Sequence, residues 1–434
     1  MTDTLLVVII ILMVLLLAGG PVIFAIGTAG FAYFVIKPGM WASVGVYPHK
    51  FFTGMDDFVW LCIPLFIMAG EIMATTGMTE KLVTFAQLLV GRFRGGLAYV
   101  NVLDSMLFGG VSGSALADIS ALGPIVIDMM KRDGYKPEFA TALTVTTALQ
   151  GPIIPPSIPM IIFASLTNVS VGALFMGGVI PGIMIGLAQA IIIFFMVKKY
   201  HFPSNPIKQI TFKLVVRITS EAGYALMMPV IILGGIISGF FTATEAAAIA
   251  VGYAACVGIF ISKNLNLKQI FNILEKAART SAAIYLIIGF VTIISWVFAR
   301  ERLPDLLTRL VNESQLEPWQ LLLLVNIFFL FNGMWISDAV QLLLFAPLFT
   351  PIFAKMGVHP VHFGIIMVVN IMIGLVTPPY GMGLYLGSIV GKVPLTSIIK
   401  TGMPFIISSI VVLLIITYIP FLCLWVPSLF GLIK

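Results

Sequence analysis

The chain has 434 residues, 60% of them hydrophobic and only 10% charged, with a mean hydropathy of +1.10 and a formal net charge of +6. So little polar surface cannot cover a soluble globule, which excludes a water-soluble enzyme or binding domain and leaves an integral membrane protein. The Lys and Arg residues stand at the ends of apolar segments, as cytoplasmic loop charges do, and not on one face, which argues against a nucleic-acid partner.

The apolar runs are of helical length, so the fold class expected is all-α. Two spans open the chain, about 5–19 and 21–36, separated by Gly19-Gly20-Pro21. The first lacks a basic region before it and is followed by further spans, so it reads as retained in the protein and not as a cleaved signal. An amphipathic piece around 47–57 leads to a span near 58–76. Leu82, Phe85, Ala86, Leu89, Val90 and Phe93 then recur at helical spacing, which predicts a helix lying along the interface. From 95 to 130 the apolar stretch is interrupted by Gly109-Gly110-Val111-Ser112-Gly113-Ser114, leaving two legs too short for a comfortable crossing. That pattern predicts a re-entrant hairpin.

The crossing from 137 to 169 contains Gln150-Gly151-Pro152-Ile153-Ile154-Pro155-Pro156-Ser157-Ile158-Pro159. Each proline removes an N–H and clashes with the preceding turn, so four of them break the helix. A long span at 171–197 follows, then a basic loop. The second half reads as spans at 222–240 and 242–262, an amphipathic helix at 266–279, a span at 281–299 and a short amphipathic piece with Leu303, Leu306, Leu307 and Leu310. A second hairpin at 318–354, with its tip at Asn332 to Ser337, precedes a second broken crossing at 360–392, where Gly374 to Gly381 contains Thr377-Pro378-Pro379. A last span lies near 400–419.

The two breaks are related by a displacement of 223, from Pro155 to Pro378. The same displacement lays Gly110 on Gly333, Ser114 on Ser337, Pro124 on Pro347, Gly134 on Gly357, Pro137 on Pro360, Gly151 on Gly374, Pro156 on Pro379 and Pro181 on Pro404 without a gap. An internal duplication is the reading: a first repeat at 1–200, a cytoplasmic connector at 201–221 and a second repeat at 222–434. Five crossings in each copy predict opposite orientations. The charges agree, since Arg92 and Arg94 have Gln315 and Glu317 as counterparts, and basic loops at 92–94, 131–136, 198–217 and 263–268 then share one side. Arg300, Arg302 and Arg309 violate this pattern and are expected to snorkel from an interfacial helix.

Inverted repeats with discontinuous helices are the signature of a secondary carrier, because broken ends leave backbone groups at mid-membrane that can hold ions and substrate. At the proline breaks, carbonyls lose their donors. With hydroxyls of Ser112, Ser114, Ser157, Ser337 and Thr377 they form hard oxygen sites suited to Na⁺, while hairpin tips present helix N-termini that favour anions. Asp118 and Asp338 are acids in apolar surroundings just past the tips. They are not repeat equivalents, since Asp118 falls on Gln341 and Asp338 on Ala115. Glu71, Asp104 and Glu245 suit structural ion pairs or helix ends equally well. Cys62, Cys256, Cys423 and the four histidines form no metal-ligand set, and no nucleophile–base pair or phosphate loop is present, so energy must come from a gradient or a partner.

The segments Phe108 to Asp118, Thr242-Ala243-Thr244-Glu245-Ala246-Ala247-Ala248, and His359 to Met367 running on to Gly374 and Thr377-Pro378-Pro379 resemble the large membrane subunit of a TRAP (tripartite ATP-independent periplasmic) transporter, within the wider ion-transporter superfamily. The resemblance spans essentially the whole chain. It implies a Na⁺-driven importer of organic acids such as C4-dicarboxylates or sialic acid in the bacterial inner membrane, fed by a periplasmic binding protein and paired with a small four-helix membrane subunit. It also implies an elevator motion of hairpins and broken helices against a scaffold. Carried over, the first tip with Gly151 to Pro155 forms one Na⁺ site, and the second tip, around Gly333 and Ser337, with Gly374, Thr377 and Pro378 forms the other. Ser114, Ser157 and Asp338 would face substrate. Tyr380 and Gly381-Met382-Gly383 are less usual for the family. The rival readings are a stand-alone Na⁺/organic-anion symporter of related fold and an ion channel.

Overall fold

A computed structural model describes residues 3–200, 202, 211–313 and 315–433, and the described elements are all helical. Among the described residues seven helical stretches are long and apolar enough to cross a membrane. Helices α1 (Asp3–Leu17) and α2 (Val22–Ile36) pair at the start. They are followed by α3 (Val46–Met55), α4 (Cys62–Thr75, entered through a 3-10 turn from Phe58) and the amphipathic α5 (Met78–Val90). Next come α6 (Gly96–Ser112), α7 (Ala115–Arg132), α8 (Pro137–Thr147), α9 (Ile158–Thr167) and the long α10 (Val171–Tyr200).

The second half contains α11 (Phe212–Ile237), α12 (Ala243–Cys256), α13 (Leu267–Arg300) and α14 (Leu303–Glu313). It ends with α15 (Pro318–Gly333), α16 (Asp338–Lys355), α17 (Pro360–Leu375), α18 (Met382–Gly391), α19 (Leu395–Tyr418) and α20 (Phe421–Leu429). Displaced by 223, the bounds of α7, α8 and α9 land within a residue of those of α16, α17 and α18 at their starts, apart from the break loops.

Three expectations change. The amphipathic helix at 266–279 and the span at 281–299 are one continuous α13 of 34 residues. No Gly or Pro interrupts 267–288, Asn266 and Gln269 form a capping box at its start, and the Arg279–Glu275 pair sits one turn apart, so nothing stops the helix when its environment changes. The connector expected over 201–221 is shorter, because α11 begins at Phe212; residues 203–210 lie outside those described. The hairpin legs are also longer than read, 17 and 18 residues in the first and 16 and 18 in the second. Pro124, Pro347 and Pro351 sit inside the helices without ending them.

Packing divides the helices into two groups. α1 to α5 pack with α11, α12 and α13, and α6 to α10 pack with α15 to α20, while α13 against α16 and α4 and α5 against α6 join the groups. In the first group small residues let helices touch: a Cβ on Gly30 would meet the Ile293 side chain at 3.0 Å. The second group holds both hairpins and both breaks.

Candidate functional site

The first half-site begins where α6 stops. Gly113 takes a left-handed conformation (φ 60°), which a side chain would strain, and a Cβ there would stand 2.8 Å from the Pro156 carbonyl oxygen. Ser114 then caps α7, its Oγ accepting from the Ala117 N–H at 3.4 Å, while its own N–H donates to Ser112 Oγ at 3.4 Å. Across from the tip, α8 tightens into a 3-10 turn at Ala148–Gln150 and unwinds through Gly151 to Pro156. Ser157 restarts the chain as α9, accepting from the Met160 N–H at 3.2 Å and donating to the Pro152 carbonyl. The Ile158 N–H reaches back to the Gly113 carbonyl at 3.4 Å, so tip and break are joined through backbone. Gly109 and Gly151 make the approach possible, since a Cβ on Gly109 would fall on Gly151 Cα. Ser112, Ser114, Gly151, Pro155 and Ser157 are thereby brought together.

Asp118 stands one helical turn beyond Ser114 and is 1% exposed. Its carboxylate lies 3.6 Å from where a Gly151 Cβ would be, with the Ser105 and Ser112 hydroxyls beside it, yet neither oxygen holds a hydrogen bond within the described residues. Ser105 donates to Thr147 instead, at 3.0 Å. Asp104, 0% exposed, also has both oxygens without a partner. A desolvated carboxylate without hydrogen bonds or a basic neighbour is several kcal/mol unfavourable unless a cation or proton joins it. Among the described residues neither acid forms an ion pair.

The second half-site repeats the close approach with Gly333 against Gly374, where a Cβ on Gly333 would be 2.8 Å from Gly374 Cα. Thr377 Oγ1 donates to the Ile373 carbonyl at 2.6 Å and keeps its lone pairs free to accept. The carbonyl oxygens of Leu375 and Thr377 converge on Gly381, 2.8 and 3.0 Å from a Cβ placed there. Ser337 caps the start of α16 without a side-chain cap bond, and Asp338 occupies its first turn, half-buried. In place of buried serines, the second site carries Trp335 and Tyr380, with near-parallel rings. The half-sites interlock through α18 on α7 and α8, and α16 on α9.

The placement refines the expected roles. Ser114, Ser337, Asp338, Thr377 and Pro378 are partly exposed, whereas Ser157 is 0% exposed with its hydroxyl engaged at both lone pair and proton. Ser157 therefore holds the break together in this conformation. Two groups were not singled out from sequence. Asp104 was left among the structural acids, and Gln341, the repeat counterpart of Asp118, has a buried Oε1 with no partner while its Nε2 donates to the Ile336 carbonyl at 3.0 Å. The displacement of 223 is the signal that marks Gln341.

Residues 9–422 match the model of the family described as "Tripartite ATP-independent periplasmic transporter, DctM component". The chain belongs to the DctM family. It is 37% identical over 415 residues to the sialic acid TRAP transporter large permease protein SiaM of Vibrio cholerae, covering 95% of this chain and 96% of that one. It is also 37% identical over 390 residues to the C4-dicarboxylate TRAP transporter large permease protein DctM of Pseudomonas aeruginosa, covering 90% and 91%. Among solved structures, Neisseria gonorrhoeae MtrF aligns with a TM-score of 0.61 at 13% identity over 96% of this chain and 95% of that one. Alcanivorax borkumensis YdaH aligns with 0.60 at 15% over 92% and 91%. Those two share the fold. As a DctM component the protein is a multi-pass permease of the bacterial inner membrane and not an enzyme.

Proposed function

We propose that this DctM component is the membrane permease of a Na⁺-driven, binding-protein-dependent importer of an organic acid, working by an elevator motion. Asp118 carries the Na⁺ reading: a fully buried carboxylate without a hydrogen-bond partner lies between the hairpin tip and the proline break, beside the Ser112 hydroxyl and the Gly151 backbone. Hard oxygen donors around a net negative charge suit an alkali cation. In the second repeat the convergent Leu375 and Thr377 carbonyls and the Thr377 hydroxyl supply neutral oxygens for a second Na⁺. Ser112, Ser114, Gly151 and Pro155 belong to the first site, and Gly333, Ser337, Gly374, Thr377 and Pro378 to the second.

Two bound cations and the N-termini of α7 and α16 would give an anionic substrate its positive surroundings without a buried arginine. Asp338 and Ser114, both partly exposed, are placed to accept and donate hydrogen bonds to it. The repeats are inverted, with hairpins and broken helices moving against α1 to α5 and α11 to α13. The partners are a small four-helix membrane subunit and a periplasmic binding protein, and relatives named for sialic acid and C4-dicarboxylates support a carboxylate substrate.

The test is uptake into proteoliposomes containing this chain and its small subunit, under an inward Na⁺ gradient, with a panel of organic acids and with or without the binding protein. Uptake of one acid that needs both Na⁺ and the binding protein is the expected result. Uptake without the binding protein would make the chain a stand-alone symporter, and ion-independent conductance would make it a channel.

A further inference from the structure

The repeat displacement pairs Trp335 with Ser112 and Tyr380 with Ser157. Where the first tip and break hold two buried serines, the second hold two aromatic rings, 51% and 50% exposed. The ring planes are 15° apart with centroids at 6.3 Å, an offset arrangement that presents one broad flat face. Tyr385, on the first turn of α18 and also exposed, leans on Tyr380 at 5.2 Å with its ring tilted by 51°, and so borders that face without continuing it. Neither the Trp335 indole N–H nor the Tyr380 hydroxyl has a hydrogen bond to the described residues, so both polar ends remain available.

These rings adjoin the proposed substrate and ion groups along the chain. Trp335 lies three residues before Asp338 on the hairpin tip, and Tyr380 directly follows Thr377-Pro378-Pro379. The proposed substrate region therefore has a polar side, with groups from both repeats, and an aromatic side from the second.

We propose that Trp335 and Tyr380 form a ledge for the flat face of a ring, so that the substrate is a carboxylate borne on an aromatic or pyranose ring and not a short linear acid. This rests on the transport reading above. The carboxylate is held by the polar side, and the ring lies across the ledge, where stacking or C–H contacts with the aromatic faces contribute about tenfold in affinity. A short linear acid can reach the polar groups but covers little of the ledge.

The test uses a protein whose only tryptophan is Trp335, with Trp41, Trp60, Trp296, Trp319 and Trp425 replaced by Phe, reconstituted with its small subunit in vesicles. Benzoate, N-acetylneuraminate, pyruvate and succinate are titrated with and without Na⁺ while Trp335 emission is followed. The expected result is a saturable, Na⁺-dependent change with benzoate or N-acetylneuraminate at concentrations at least about tenfold below those needed for pyruvate or succinate, and the two ring acids tell an aromatic from a pyranose substrate. Tyr380→Ala should weaken the ring acid about tenfold and Tyr380→Phe should not. Binding of pyruvate or succinate as tightly as either ring acid overturns the ledge. So does strong quenching of Trp335 by brominated lipid with no response to any acid, which would place the rings against the bilayer. Na⁺-dependent uptake measured on the same vesicles with the binding protein added separates the two failures: if it persists while the ledge fails, the transport reading stands, and if no acid is taken up with Na⁺ and the binding protein, that reading fails.

Discussion

At the scale of single residues, burial decides which polar groups matter. Asp118 is as buried as the core leucines and has no hydrogen-bond partner among the described residues, so its ionised form is tolerable only with a cation at hand. Asp118→Asn keeps the shape and removes the charge. It should raise the Na⁺ concentration for half-maximal uptake by about tenfold or more, and unchanged Na⁺ activation would remove Asp118 from the ion site. The glycines give a sharper stability contrast. Gly113→Ala places a Cβ 2.8 Å from a backbone oxygen at a left-handed position, whereas Gly252, mid-helix in α12, has nothing within 4 Å of its Cβ position. Gly113→Ala should cost about 1–3 kcal/mol and lower the unfolding temperature in detergent, while Gly252→Ala should hold or raise it through the helix propensity gain of about 1 kcal/mol. Equal effects of the two would refute the backbone contact between tip and break.

At the scale of elements, features written into backbone chemistry were legible and those set by surroundings were not. Prolines and glycines mark both breaks and both hairpins, and the spacing of Leu82, Phe85, Ala86 and Leu89 marks the helix that forms as α5. The junction at Thr280 reads as an end because polarity changes there, but a helix stops for want of hydrogen bonds or for a Pro or Gly, and neither residue occurs in α13 before Gly289, well past that junction. Partners were the least legible. Asp104 and Glu71 look alike in sequence, yet Glu71 meets Lys276 at 2.7 Å and the Asp104 carboxylate has no hydrogen-bond partner among the described residues. Of the proposed ledge, Tyr380 departs from the family pattern in sequence, while nothing in the sequence marks Trp335 as its neighbour. The cap of α12 makes an element-level test: Thr242 and Glu245 bond reciprocally, the Thr242 N–H reaching Glu245 Oε2 at 2.8 Å, so Thr242→Ala should destabilise by about 1 kcal/mol in a melting experiment. A change no larger than that of a neutral surface substitution would show that packing against α4 alone holds the end of α12.

At the scale of the whole molecule, the two groups of helices meet over few polar contacts among the described residues, which suits the proposed elevator motion. Close to the start of α4, Ser165 at the far end of α9 donates to Asp57 Oδ2 at 3.3 Å. The contact joins the group carrying the breaks to the group expected to stay still. An elevator must separate that pair on each cycle, whereas a channel or a rocking gate confined to the hairpin tips need not. With Cys62, Cys256 and Cys423 replaced by serine or alanine, Asp57→Cys together with Ser165→Cys gives a pair that Hg²⁺ can bridge in this conformation. Bridging should abolish uptake and a thiol should restore it, each single cysteine variant being insensitive. Transport that continues at its full rate with the pair bridged would mean that α9 never leaves Asp57, and the two-group motion would have to be replaced by one confined to the hairpins.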